Sequence, residues 1–347
     1  MTQLATRGQR RSTMVDVARE AGVSLKTVSR VLNKESYVRE ETKTAVLDAA
    51  ARLDYKLNQA ARTLRAGTTQ IVALLVNNPS RSYLENVHFG ALAKCHELSM
   101  QLVLDECPNG VDDVRRLIKT LSPVGLILTP PLCDDPDVIE LLEAQGCTYV
   151  LVAPVDPDSA KFSVNMDDMA AAKEITEYLL KLGHRRIGYI RGHPDHGASV
   201  KRYAGYSQAL HAYGMEPDPA LMRQGYFDYA SGLECAESLL DMPERPTAIF
   251  ASNDDMAAAI IAAAYRRNIA VPGQLSVVGF DDTPIAGIIS PHLTTIRQPI
   301  SDLAANAVQL LSENIAQSFS SEEGESTIFL QHSLVERDSA GPPAPDA

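Results

Sequence analysis

From residue 68 onward the chain alternates short apolar runs with amphipathic stretches, and this alternation limits the possible folds more than any other feature. Apolar runs fall at Ile71–Val76, Gln101–Leu104, Val124–Leu128, Thr148–Val152, Arg186–Ile190, Thr247–Phe250 and Leu275–Val278. Stretches with apolar residues at helical spacing lie near 84–99, 111–121, 136–145, 168–182, 199–213, 230–240 and 254–267. Strand, helix and strand in repetition imply parallel pairing through right-handed crossovers. There are too many strands for one small sheet. Two doubly wound parallel α/β halves, with a ligand cleft at the carboxyl ends of their strands, are the economical solution.

The first 66 residues have a different texture. They hold 13 Lys and Arg against 7 Asp and Glu, a net +6, so the remainder, 19 against 37, carries −18 of the overall −12. A basic head attracts phosphate, and an acidic body is repelled by it. Within the head, Asp16–Asn33 reads as two short helices. Val17, Ala18 and Ala21 share a face of the first, and Val28, Val31 and Leu32 repeat along the second. Gly22 suits the positive φ of a helix-ending turn, and Ser24 suits the N-cap of the second helix. Leu25, Lys26, Thr27, Ser29 and Arg30 remain on the unpacked face, where apolar reach and cationic or hydroxyl donors match the needs of a major-groove reader. A helix-turn-helix with solvated charges also serves as plain structure, and this motif alone does not separate the two readings.

Thr13 with Asp16 makes a cap-like start for the first helix. A third helix is expected over 40–53, with Val46, Leu47, Ala50 and Leu53 as its stripe. Residues 1–12 read as a disordered basic arm. Asn58 is positioned to cap a short helix over Gln59–Arg65 that Gly67 would end. Such a helix is mostly coil in isolation. It is either a linker or a segment that orders on DNA, with Leu64 as an apolar wedge for the minor groove.

Together these residues resemble the lactose-repressor (LacI/GalR) family of bacterial transcription factors. The carrying motifs are VDVAREAGVSLKTVSRVLN, NQAARTLRAG, RYAGY at 202–206, FASNDDMA at 250–257, SVVGFDD at 276–282 and LTTIRQP at 293–299. The resemblance implies a helix-turn-helix headpiece over 13–57, a hinge helix or linker over 58–68 and an effector-binding and dimerisation core over 69–338. That core is periplasmic-binding-protein-like, with an N-subdomain of about 69–165 and 299–329 and a C-subdomain of about 166–298 and 330–338. Residues 339–347 are expected to be a disordered tail. Also implied are a homodimer on double-stranded operator DNA, base-reading positions at Leu25, Lys26 and Arg30, backbone contacts from Thr27, Ser29 and Asn33, and hinge contacts from Asn58, Ala61 and Leu64. In the cleft the family pattern falls on Tyr83, Asp167, Arg202, Phe227, Asn253, Asp281 and Gln298. As chemistry the set suits a sugar, because carboxylates and an amide take paired hydroxyls while aromatic faces stack on the C–H side of the ring. Two departures stand out: Leu57 replaces a proline common before the hinge helix, and Arg39 stands where a capping Ser is frequent. The tail also lacks a leucine heptad, which argues for a dimer rather than a tetramer.

The expected function is a ligand-controlled transcriptional repressor of a carbohydrate-use operon, with a purine- or nucleoside-dependent regulator as the alternative. An exported sugar-binding protein and a cleft enzyme are the rival classes. No run of eighteen apolar residues and no secretory h-region occur, so a cytoplasmic protein without a membrane span is expected. No G-x-G-x-x-G, P-loop or G-x-S-x-G is present. The five cysteines are scattered without a C-x-x-C pair, which disfavours a zinc site or disulfide frame. His193 and His196 lack a fixed acidic third ligand, so neither a metal nor another cofactor is expected. One carboxylate of each pair Asp254–Asp255 and Asp281–Asp282 is expected to cap the helix that follows.

Overall fold

The structure is a computed structural model that describes residues 12–32, 38–53, 55, 70–317 and 326–344. The chain forms two compact units, Met1–Thr68 and Thr69–Ala347. Asn33, Asn58, Ala61 and Leu64, with the hinge segment, lie outside the described residues.

The first unit contains α1 (Met14–Ala21), α2 (Leu25–Leu32) and α3 (Glu40–Arg52). Thr13 and Asp16 form a reciprocal capping box, the Thr13 N–H donating to Asp16 Oδ2 at 2.8 Å and the Asp16 N–H to Thr13 Oγ1 at 3.4 Å. Gly22 ends α1 at φ 68°, which lets the Val23 N–H return to the Ala18 carbonyl at 3.1 Å. Ser24 Oγ then accepts the Thr27 N–H at 3.1 Å and starts α2. Val17, Ala18, Val28, Val31, Val46 and Ala49 make one small core. Leu47 corrects the expected α3 stripe, because it is 47% exposed and Ala49 is buried instead. Positions 46, 49, 50 and 53 fall within one arc of a helix, whereas 47 is turned about 100° from 46. Arg39 precedes α3 and makes no side-chain cap.

The second unit holds two six-stranded sheets. In the first, β1 (Ile71–Val76), β2 (Gln101–Glu106), β3 (Gly125–Leu128), β4 (Tyr149–Val152), β5 (Phe162–Met166) and β11 (Ser326–Leu330) pair in parallel, in the order β11-β5-β4-β3-β1-β2. In the second, β6 (Ile187–Arg191), β7 (Met222–Gln224), β8 (Ala248–Ala251), β9 (Ser276–Asp281) and β10 (Thr294–Arg297) run parallel, and β12 (Ser333–Val335) closes the edge antiparallel to β10. The helices are α4 (Arg81–Glu97), α5 (Val111–Leu121), α6 (Pro136–Ala144), α7 (Asp168–Lys181), α8 (Gly197–Ala212), α9 (Tyr229–Leu240), α10 (Asp254–Arg266), α11 (Pro284–Ile288) and α12 (Ile300–Gln317). Each sheet has an apolar cluster on both faces, which is why its central strands read as continuous apolar runs. The chain passes from one sheet to the other after β5, after β10 and again after β11.

Two boundaries differ from expectation. Helix α4 begins at Arg81 rather than near 84, because Ser80 Oγ accepts the Tyr83 N–H at 3.3 Å and caps it. The stretch from Ser339 is not a free tail. Ser339 is fully buried, with Oγ accepting from the Thr294 N–H at 2.8 Å and donating to the Val277 carbonyl at 2.6 Å. Beyond it, the Gly341 carbonyl meets His184 Nε2 at 2.9 Å and Ser276 Oγ at 2.9 Å.

Candidate functional site

Residues just past the carboxyl ends of the strands converge on a cleft of about 420 Å³, measured with its open mouth. Asn78, Ser80 and Tyr83 follow β1, Asp168 follows β5, His196 follows β6, Phe227 follows β7, Asn253 follows β8 and Gln298 follows β10, while Asp281 ends β9. Parallel strands aim successive loops the same way, so residues distant in sequence meet at this edge of the two sheets.

Arg202, on α8, is the centre of the charge pattern and is 5% exposed. Its Nε donates to Asp168 Oδ1 at 2.8 Å, its Nη1 donates to the Ser252 carbonyl at 2.5 Å and lies 3.6 Å from Asp281 Oδ1. Its guanidinium also lies 3.8 Å from the Phe280 ring centroid and 5.6 Å from that of Phe227. Burial pushes the Asp281 carboxyl up to about 7, although Arg202 and the Gln298 amide both favour its charged form. Gln298 Nε2 donates to Asp281 Oδ1, and Ser80 Oγ donates to Asp255 Oδ2 at 2.8 Å, tying the start of α4 to α10.

The backbone is bent to build this wall. Ala153, Phe227, Asp281 and Asp282 hold φ of 53°, 62°, 116° and 56°, values that side-chain-bearing residues rarely adopt and that the surrounding packing must enforce. Phe227 needs a further concession, because a Cβ on Gly192 would stand 2.0 Å from its ring.

Tyr83, Arg202, Phe227, Asn253, Asp281 and Gln298 therefore meet in one cleft, and Asp167 does not. Asp167 is exposed and turns back to accept the Ala170 N–H at 2.9 Å as the N-cap of α7. Asp168, the first residue of that helix, points inward and supplies the carboxylate that pairs with Arg202. The adjacent carboxylates are not helix caps either. Asn253 caps α10, its Oδ1 accepting the Met256 N–H at 3.0 Å. Asp254 is buried and accepts from Thr283 N at 2.7 Å and Thr295 Oγ1 at 2.6 Å, so it fastens the loop after β9. Asp282 takes Arg297 at 2.7 Å and Arg337 at 2.6 Å. Thr283, not either aspartate, precedes α11.

Two stretches of the chain match models of known families. Residues 13–58 match the model for bacterial regulatory proteins of the lacI family, and residues 176–340 match the periplasmic binding protein-like domain. The HTH-type transcriptional repressor PurR of Vibrio atlanticus is 30% identical over 330 residues, 94% of this chain and 98% of that protein. The HTH-type transcriptional regulator AscG of Escherichia coli is 32% identical over 297 residues, 84% and 88% of the two chains. This chain belongs to the lacI family of bacterial regulatory proteins. Among solved structures, a complex of the transcriptional regulator CelR with cellobiose superposes with a TM-score of 0.71 at 31% identity, covering 95% of this chain and 100% of the other. The lac repressor dimer bound to operator and the anti-inducer ONPF gives a TM-score of 0.78 at 26% identity, covering 96% and 100%.

This lacI-family chain is thus a DNA-binding transcriptional regulator with an effector-binding core. In its headpiece Leu25, Lys26 and Arg30 are exposed on α2, while Thr27 and Ser29 are half-buried. The Thr27 hydroxyl lies 2.8 Å from that of Ser24. Asn78, Ser80, Asp168 and His196 were not among the expected cleft residues. Position after a strand end was the available signal for His196, and the choice between Asp167 and Asp168 had none, since either can cap a helix.

Proposed function

We propose that the protein is a cytoplasmic homodimeric repressor of a carbohydrate-use operon, whose operator affinity is set by a sugar held in this cleft. The observation that carries the reading is the buried guanidinium between two carboxylates, with the Tyr83 and Phe227 rings in the same wall. Carboxylate, guanidinium and amide groups engage neighbouring hydroxyls, and the aromatic faces cover the apolar side of a pyranose. Similarity to a regulator solved with cellobiose supports the ligand class. The cleft serves binding rather than catalysis, in keeping with relatives that are named as transcriptional regulators.

In the headpiece, Leu25, Lys26 and Arg30 read bases, with Arg30 suited to a guanine, and Thr27, Ser29 and Asn33 hold the phosphate backbone. Asn58, Ala61 and Leu64 form the hinge contact in the minor groove. Phe89, Tyr265 and Ile288, exposed by 57%, 83% and 77%, offer apolar surface that a second copy covers. Ligand shifts the population between arrangements of the two α/β halves, and these set the spacing of the paired hinges.

The test is operator binding by fluorescence anisotropy, with and without mono- and disaccharides, nucleobases and nucleosides. A sugar that changes operator affinity, together with a loss on Leu64→Ala, is the expected result. Insensitivity to every sugar combined with a response to purines would replace the sugar reading by the purine-dependent one.

A further inference from the structure

His196 is the cleft residue to which the triad around Arg202 assigns no task. It precedes α8, is 3% exposed and lines the cleft, yet neither ring nitrogen has a hydrogen-bond partner among the described residues. Its ring packs edge-on against Phe227 at 5.6 Å and His193 at 5.2 Å between centroids, so packing rather than polar contact fixes its orientation. Burial, and after it the neighbouring His193 and Arg202, lowers its pKa to about 4, and the ring is neutral at pH 7. A neutral imidazole offers one donor and one acceptor, which is how a hydroxyl is recognised and not how an anion is held.

The charge of the wall points the same way. Among the described residues that line the cleft, Arg202 is the only cation, and its charge is already met by Asp168 and Asp281. Neighbouring Lys201 donates its Nζ to the Pro154 carbonyl at 2.9 Å and is not in the lining. A phosphomonoester would therefore enter a wall with two carboxylates and no uncommitted guanidinium, at low dielectric, where like charges cost most.

Resting on the reading of this cleft as a sugar site, we propose that its ligand is an unphosphorylated, uncharged saccharide and that His196 is a specificity-determining residue that hydrogen-bonds one of its hydroxyls. The full-length protein is tested against matched pairs, glucose with glucose 6-phosphate and cellobiose with its 6-phosphate, together with adenine, guanine and hypoxanthine. Thermal shift ranks the probes and calorimetry gives Kd for those that bind. The uncharged member of a pair is expected to bind and its phosphate ester to bind at least tenfold more weakly. His196→Ala is expected to weaken the uncharged sugar by about threefold to tenfold, the worth of one neutral hydrogen bond, while His196→Gln keeps most of the affinity. His196→Arg adds the missing cation and is expected to move the ratio within the pair toward the ester, a change that a merely structural role would not produce. Equal or tighter binding of the ester by the natural protein overturns the inference and leaves the sugar reading standing. Binding of the purines alone overturns both.

Discussion

Arg202 is stable in the interior only because its charge is shared with Asp168 and Asp281 and its plane rests on Phe280. Removing it strands two buried carboxylates, so Arg202→Met is expected to cost about 3–5 kcal/mol of stability, read from the urea midpoint at unchanged slope. A loss below about 1 kcal/mol would show that the carboxylates are not held by it. His196 makes a pH prediction with a definite sign. Its pKa falls from an ordinary 6.5 to about 4, so between these values the unfolded chain binds a proton that the folded chain does not. Stability from this group is therefore complete above pH 6.5 and lost as pH falls toward 4, by up to about 1.4 kcal/mol per unit. His196→Gln should flatten the measured stability curve over that window, and parallel curves would refute the assignment. At this scale the resemblance to the family located most cleft residues through the motifs that hold them. It named Asp167 where the cleft carboxylate is Asp168, because the direction of a side chain at a helix start depends on which carboxylate caps the turn.

Elements were legible where consecutive residues were apolar rather than where they were buried, since half-exposed β2 was expected and buried β5 and β10 were not. Most strands and crossover helices stand out as apolar runs and amphipathic stretches, whereas β5, β7, β10, β11 and β12 are short or carry polar residues and escaped the pattern, as did α12. The segment after β12 was misread for a related reason. SAGPP looks like a polar tail, yet the Ser339 hydroxyl and the Gly341 carbonyl complete hydrogen bonds of buried groups on β9 and β10 and of His184. Ending the chain at residue 338 would leave the Thr294 N–H and the Val277 carbonyl without these partners. The expected loss is about 2–6 kcal/mol, at roughly 1–3 kcal/mol for each buried group left unpaired. A truncated protein with an unchanged thermal midpoint would show that the segment only decorates the sheet.

For the whole molecule, the uneven charge, +6 over the first 66 residues and −18 over the rest, confines attraction for DNA to the first 66 residues. Operator affinity is expected to fall linearly with log salt at a slope near −0.9 for each phosphate neutralised. Residues 69–347 alone should show no such binding; a fragment that bound DNA with the same slope would contradict the division of labour.

The sequence by itself determined the class of structure and the class of function. Periodicity dictates parallel α/β halves, the helix–glycine–helix motif dictates two short helices with a polar outer face, and the ordered set of family-like motifs makes that face a DNA reader; all are local properties of consecutive residues. The tertiary structure alone decided which carboxylate meets Arg202, that His196 stands unpartnered in the cleft wall, and that Ser339 and Gly341 are tied to buried groups of the second sheet. These are contacts between segments 30 to 160 residues apart, set by side-chain direction and by buried groups that must find partners.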